Sequence, residues 1–160
     1  MLPFCITAVL IIAADLITKY IVASGMELYS SIPVIPGVFD ITYIINDGAA
    51  WGILGGKQFL LSAFTVIVIA ALIIYAVKKR ALMPKLELYS LAMIVGGGTG
   101  NLIGRVFDEY VVDFINVKAI SFLNIFNIAD IGITVGCFLL IIALLISPQR
   151  KKDDAGEQQL

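Results

Sequence analysis

The chain has 160 residues, contains no histidine at all, and has only two cysteines, Cys5 and Cys137. The absence of histidine excludes Ser–His and Cys–His catalysis and removes a principal zinc ligand. Both cysteines fall inside apolar runs, so neither a disulfide framework nor a cysteine metal site is expected. The residues available therefore imply no metal and no organic cofactor.

Charged residues are also scarce: they make up 14% of the chain, whereas 60% of it is hydrophobic. Soluble domains are usually about 45–50% apolar, and the mean hydropathy of +1.00 indicates a membrane protein. A membrane-spanning helix needs roughly 20 mainly apolar residues. Four windows reach or approach that length: 1–25, 59–77, 86–107 and 128–146. The sequence therefore predicts an all-α membrane protein with four transmembrane helices.

Basic residues predict the orientation of these helices. Positive charge collects on the cytoplasmic side of a membrane protein, and the basic clusters are Lys78, Lys79, Arg80 and Lys85, followed by Arg150, Lys151 and Lys152. Both termini are then cytoplasmic, and segments 26–57 and 108–127 lie outside. We expect residues 1–149 to form one membrane domain and 150–160 a disordered cytoplasmic tail. The basic clusters are short and juxtamembrane, so no nucleic-acid partner is expected.

The outer segment 26–57 predicts some β structure. In "FDITYII", residues 39, 41, 43 and 45 place apolar side chains on one face, and Asp40 and Thr42 lie on the other, a pattern typical of a short strand at the membrane surface. Pro33, Pro36 and Gly37 are expected to break the chain before this strand. A second strand is expected in "FINVKAISFL", residues 114–123. Together these form a small extracytoplasmic β-like cradle.

Polar residues in and beside the predicted helices share one depth. They are Asp15, Thr18 and Lys19 late in the first helix, Asn101 and Arg105 late in the third, Asp113 in the second outer segment, and Asn127 and Asp130 at the start of the fourth. Such residues are costly in a membrane and usually face a bundle interior or a water-filled cavity. Their convergence on the outer leaflet boundary indicates a functional site.

Each of these residues also has a purely structural interpretation. Asp15 and Lys19 are spaced to form an intrahelical ion pair. Arg105 is long enough to snorkel to the interface or to pair with a nearby acidic residue. Asn127 or Asp130 suits the N-terminus of the fourth helix. The glycines at 96, 100 and 104 form a small-residue stripe that favours close helix packing.

Two outer carboxylates, Asp113 and Asp130, permit hydrolysis without histidine. If they share a proton, one activates water while the other protonates the carbonyl oxygen of the scissile bond. Close like charges raise one pKa, and the two groups then titrate as a pair. Composition alone makes this one possibility among several.

Five motifs in order resemble the lipoprotein signal peptidase family, also called signal peptidase II. They are "DLITK" (15–19), "NDGAAWG" (46–52), "GGGTGNLIGR" (96–105), "VVDF" (111–114) and "FNIAD" (126–130). The resemblance implies a bacterial inner-membrane aspartyl protease that cuts diacylglyceryl-modified prolipoproteins before the lipidated cysteine. Its partners would be these substrates and membrane lipid.

The resemblance also implies roles for individual residues. Asp113 and Asp130 correspond to the catalytic pair. Substrate-binding or supporting roles are implied for Asp15, Lys19, Asn46, Asn101, Arg105 and Asn127. The family's motif usually reads G-N-x-x-D-R, whereas position 104 here is glycine. If this weakens the site, Gly104→Asp is expected to raise activity.

Two other functions remain open. A catalytically silent homologue would bind prolipoproteins without cutting them, which the glycine at 104 makes conceivable. A proton-coupled carrier would use Asp15, Lys19 and Asp130 as a relay. A carrier is expected to have charges near the midplane or on both sides, whereas these residues cluster on one side.

Overall fold

The computed structural model describes residues 1–48, 57–120 and 123–146. The chain is mostly helical and carries one small sheet. The helices are α1 (Leu2–Gly25), α2 (Gln58–Lys79), α3 (Lys85–Phe107) and α4 (Ile128–Ile146), and the strands are β1 (Ser31–Ile35), β2 (Phe39–Asn46) and β3 (Val111–Asn116). Each helix coincides closely with one predicted apolar window. The predicted tail and most of the motif "NDGAAWG" (46–52) lie outside the described residues.

Within the described ranges, α1, α2 and α4 are long and apolar enough to cross a membrane. Helix α3 is not among them, and it carries Glu87, Arg105 and four glycines between Gly96 and Gly100. It nevertheless contacts each of the other three helices and is the most buried of them. Its small residues therefore face neighbouring helices, where close packing matters more than hydropathy.

Glycines on α3 allow α1 and α4 to approach closely. A Cβ atom at Gly96 would lie 2.9 Å from the backbone carbonyl oxygen of Ala8 on α1. A Cβ atom at Gly97 would collide with the carbonyl oxygen of Ala129 on α4. Backbone carbonyls cannot move aside as flexible side chains do, so these contacts require glycine. The predicted packing role of the glycine stripe is confirmed at Gly96 and at Gly100, which lies against Asp15 and Ala129, whereas Gly104 faces the turn before β3.

The sheet is antiparallel, with β2 between β1 and β3. The predicted strand at 39–45 is confirmed as β2. The prediction that Pro33 breaks the chain was wrong, because Pro33 lies within β1 and pairs with Asp40. An edge strand tolerates proline, since one side of its backbone has no ladder to complete. The strand expected at 114–123 lies instead at Val111–Asn116, so only its first three predicted residues are part of β3.

A buried apolar cluster fixes the sheet against the helices. It contains Val22 at the end of α1, Tyr43 of β2, and Val112 and Phe114 of β3. Tyr43 lies on the apolar face that the alternation of β2 predicted. This cluster holds β3 at a fixed position relative to α1, and the functional side chains of β3 are thereby fixed too.

Candidate active site

The start of α4 is held by two reciprocal hydrogen bonds. The Asp130 backbone N–H donates to Asn127 Oδ1 at 3.0 Å, and the Asn127 backbone N–H donates to Asp130 Oδ2 at 3.1 Å. This is the arrangement of a capping box. The capping interpretation of both residues is therefore correct, but it leaves Asn127 Nδ2 and Asp130 Oδ1 available for other contacts.

Backbone pairing brings this capped helix end to strand β3. The Phe126 N–H donates to the carbonyl oxygen of Ile115 at 3.2 Å, and the Ile115 N–H donates back to Phe126 at 2.8 Å. The next residue, Asn127, then reaches Asp113, which is 1% exposed. The Asn127 Nδ2 atom donates to Asp113 Oδ1 at 2.6 Å. One asparagine thus contacts both aspartates.

Each carboxylate oxygen of the two aspartates accepts one N–H hydrogen bond. Asn46 Nδ2 donates to Asp113 Oδ2 at 2.8 Å, and Asn101 Nδ2 donates to Asp130 Oδ1 at 2.8 Å. The other two oxygens are bonded to Asn127, as described above. Strands β2 and β3 supply one half of the site, and helices α3 and α4 supply the other.

Burial makes Asp113 a weaker acid than usual. The pKa of Asp113 is raised to about 6, chiefly by desolvation. The hydrogen bonds from Asn46 and Asn127 and the charge of Lys19 act in the opposite direction, while the charge of Asp130 also raises the pKa. A carboxyl group with this pKa exchanges its proton near neutral pH, which suits acid–base chemistry.

Asp15 and Lys19 lie directly behind this pair. Their ion pair has an Nζ–Oδ2 distance of 2.7 Å, and Asp15 and Lys19 are 0% and 7% exposed. The predicted intrahelical pair is therefore present, but it also has partners on other helices. Lys19 Nζ donates to Asn101 Oδ1 at 2.9 Å, and the Ala129 N–H donates to Asp15 Oδ1 at 2.9 Å.

Arg105 extends toward the same site. Its Nη2 atom donates to the carbonyl oxygen of Gly48 at 3.3 Å. In the described part of the chain it forms no ion pair, and its Nε atom is buried without a hydrogen-bond partner. The interpretation of Arg105 as paired with a neighbouring acidic residue is therefore not supported.

Six of the eight predicted site residues line one cavity of about 480 Å³. They are Asn46, Asn101, Arg105, Asp113, Asn127 and Asp130. The remaining wall is mainly apolar and comes from Leu123–Phe126 and from Ile131, Ile133, Thr134 and Val135. Sequence reasoning missed this wall. Its α4 residues lie one to five positions after Asp130. Their closeness in sequence to a predicted catalytic residue was the one signal that could have placed them at the site.

The described ranges contain no group of three or more histidine, cysteine or acidic side chains placed to hold a metal ion. The fold and site define a small helical membrane protein with two aspartates, one buried and one partly buried, at a mainly apolar cavity. The chain belongs to the signal peptidase II family, because residues 7–146 match the family model described as signal peptidase (SPase) II. The match makes it a bacterial membrane peptidase.

Individual relatives agree with this assignment. A lipoprotein signal peptidase from Clostridium acetobutylicum is 39% identical over 142 residues, covering 88% of this chain and 92% of the relative. A solved bacterial membrane enzyme, determined by the in meso method at 2.3 Å resolution, is 38% identical with a TM-score of 0.86, covering 95% of this chain and 93% of its own. Another such structure, at 1.9 Å resolution, is 38% identical with a TM-score of 0.83, and the match covers 92% of this chain and 95% of the other.

Proposed function

We propose that this chain is a membrane aspartyl endopeptidase that removes the signal peptide from diacylglyceryl-modified prolipoproteins, cutting before the lipidated cysteine. The observation that carries the proposal is the arrangement of Asp113 and Asp130. Both aspartates line one cavity, and both share Asn127 as a hydrogen-bond partner. Membership in the signal peptidase II family, and a relative named as a lipoprotein signal peptidase, support the substrate class.

The proposed chemistry needs one proton shared by the pair. The ionised aspartate takes a proton from water as the water oxygen attacks the scissile carbonyl carbon, and the protonated aspartate donates its proton to the carbonyl oxygen. The C–N bond of the tetrahedral intermediate then breaks as the proton taken from water passes to the leaving amide nitrogen. A hydroxyl proton of the intermediate returns to the other aspartate, which restores the singly protonated pair. The raised pKa of Asp113 supports it as the protonated member.

The three asparagines and Arg105 have supporting roles in this proposal. The asparagine amides orient the two carboxylates without competing for the proton, because an amide does not titrate in this range. We propose that Arg105, which lines the cavity, donates from its guanidinium group to a backbone carbonyl of the substrate. Asp15 and Lys19 support the site from behind.

We further propose that all four helices span the membrane, with both termini cytoplasmic and the aspartate pair near the outer face. The 23 residues of α3 are long enough for this, because at 1.5 Å per residue they extend about 34 Å against a hydrocarbon core of about 30 Å. The apolar cavity wall would receive the lipid-modified end of the substrate from the surrounding membrane lipid. No nucleic acid takes part.

The test is cleavage of a diacylglyceryl-modified prolipoprotein by the purified chain in detergent. Wild type is compared with Asp113→Asn, Asp130→Asn and the control Asp40→Asn. Asp40 is a suitable control because it is equally buried, lies on the same sheet, and contacts Ser31 and Lys118 rather than the cavity. We expect both site variants to lose cleavage and the control to keep it.

Two results would contradict the proposal. Cleavage retained by either folded site variant would exclude that aspartate from the chemistry. A folded wild type that binds the prolipoprotein without cutting it would instead favour the silent homologue.

A further inference from the structure

An asparagine side chain helps a carboxylate only when its NH₂ end faces it. The opposite orientation places the amide oxygen against the carboxylate oxygen, so that a donor is lost and two acceptors face each other. Asn46, Asn101 and Asn127 each face one of the two aspartates with Nδ2. Each amide therefore needs a second contact that fixes its orientation.

Backbone groups fix two of the three amides. The Gly48 N–H donates to Asn46 Oδ1 at 3.0 Å, and the Asp130 N–H donates to Asn127 Oδ1 at 3.0 Å. A backbone N–H donates and does not accept, so the oxygen of each amide must face it. The NH₂ ends of Asn46 and Asn127 are thereby directed at Asp113.

Side-chain donors fix the third amide. Asn101 Oδ1 accepts from Lys19 Nζ at 2.9 Å and from Asn127 Nδ2 at 3.1 Å. An ammonium group has three donors and no acceptor, so it cannot be satisfied by the NH₂ end of an amide. With Lys19 in place, Asn101 must turn its NH₂ end toward Asp130.

Lys19 is itself held in a fixed position. It is 7% exposed and forms an ion pair with Asp15. Asp15 in turn accepts a hydrogen bond from the Ala129 N–H on α4. A series of contacts thus runs from α1 through α3 to α4 and ends at Asp130. The charged groups that face this cluster are Asp15 and Lys19 on α1, Arg105 on α3, Asp113 on β3 and Asp130 on α4.

We propose that Lys19 is a positioning residue for peptide cleavage, and that it acts through Asn101 by directing the Asn101 amide donor at Asp130. This inference rests on the proposed function, in which Asp113 and Asp130 carry out the chemistry. It assigns Lys19 a function beyond its ion pair with Asp15, because a packing role alone does not require a donor-only group beside Asn101.

The test is a double-mutant cycle in the full chain, using Lys19→Met, Asn101→Ala and the double variant. Methionine keeps the length and apolar stem of lysine but removes all donors. We expect each single variant to lower kcat by about 10- to 100-fold, because a hydrogen bond to a charged group is lost. KM is expected to change little, because Lys19 does not line the substrate cavity.

The pH–rate profile separates positioning from packing. Loss of a donor to the aspartate pair makes its ionised form less stable, so the acid limb is expected to move up by roughly one pH unit. In the Asn101→Ala background, Lys19→Met is expected to cause a much smaller shift, because only the direct attraction between the Lys19 charge and the aspartate pair is then lost. Lys118→Met is the control, since Lys118 pairs with Asp40 outside the site, and its profile should match wild type.

Additive effects in the cycle, or a Lys19→Met enzyme with the wild-type pH profile, would overturn the inference. If Lys19→Met does not fold, Lys19→Arg decides, because a guanidinium group is also donor-only. Lys19→Arg is expected to keep the acid limb at its wild-type position, and a shift as large as that of Asn101→Ala would contradict us. Retained cleavage by Asp113→Asn would instead refute the proposed function itself.

Discussion

Replacing Asn127 with alanine is the most informative single change to this site. Asn127 is 0% exposed and joins three elements. Its Nδ2 atom donates to Asp113 on β3 and to Asn101 on α3, while its Oδ1 atom caps α4 at the Asp130 N–H. The substitution removes all of these contacts but leaves both aspartates in place.

The expected loss of stability follows from these contacts. A hydrogen bond to a charged group contributes about 1.5–3 kcal/mol, which applies to the 2.6 Å bond to Asp113. Loss of an N-cap side chain adds about 1 kcal/mol. We therefore expect Asn127→Ala to lower the free energy of unfolding by about 2.5–4 kcal/mol in total. A comparable loss of transition-state stabilisation would lower kcat by about 70- to 900-fold.

The assay combines unfolding in detergent with prolipoprotein cleavage by the fraction that remains folded. Asn116→Ala is the matched control. Asn116 lies on β3, the strand that carries Asp113, and its Nδ2 atom donates to Thr42 Oγ1 at 3.0 Å, outside the site. That variant should lose about 1 kcal/mol, as expected for a neutral hydrogen bond, and keep its activity. If Asn127→Ala were no more damaging than Asn116→Ala, the network described here would not support catalysis.

Three further predictions follow from the structure. The pKa of Asp113 is raised from 3.8 to about 6, so at a pH between these two values the native state binds more protons than the unfolded state. This group therefore makes the free energy of unfolding fall as the pH rises from about 4 to about 6. The difference in unfolding temperature between Asp113→Asn and wild type should therefore shift in favour of the variant as the pH rises from 4 to 7.5, and an equal difference at both pH values would refute this. Gly100→Ala should lower both stability and kcat, because the new Cβ would lie 2.6 Å from Asp15 Oδ2. Gly98→Ala is the control: its Cβ would have its nearest contact at 3.4 Å, so this variant should fold and cleave normally. Gly104→Asp should lower activity rather than raise it, because the new Cβ would lie 2.8 Å from the Tyr110 backbone carbonyl oxygen in the turn before β3. A gain in kcat would contradict this and would show that the turn can move to accept the side chain.

The last of these predictions reverses an expectation drawn from the motif alone. The usual family pattern has an aspartate at this position, so Gly104 looked like a missing support for the site. In the structure, Gly104 instead lets the chain turn closely from α3 into β3, the strand that carries Asp113. A motif compares residue types at aligned positions, but it does not contain the path of the backbone around them.

Local patterns predicted the elements well where one physical cause dominated. The four helices follow the apolar windows, because long apolar runs are stable as helices in a membrane. Strand β2 follows the alternation from Phe39 to Ile45. Strand β1 was missed because proline is unfavourable inside a sheet, and only the sheet topology makes residues 31–35 an edge strand, where Pro33 is tolerated.

The sequence by itself determined the class of protein and the extent of the four helices. These depend on composition and on short-range periodicity, which act within one segment of chain. The tertiary structure decided which atoms pair. Lys19 meets Asn101 across 82 positions, and Asp15 meets the Ala129 N–H across 114. Those contacts, and the direction in which each asparagine points its donor, depend on how closely glycine lets the helices pack, and no local pattern contains that information.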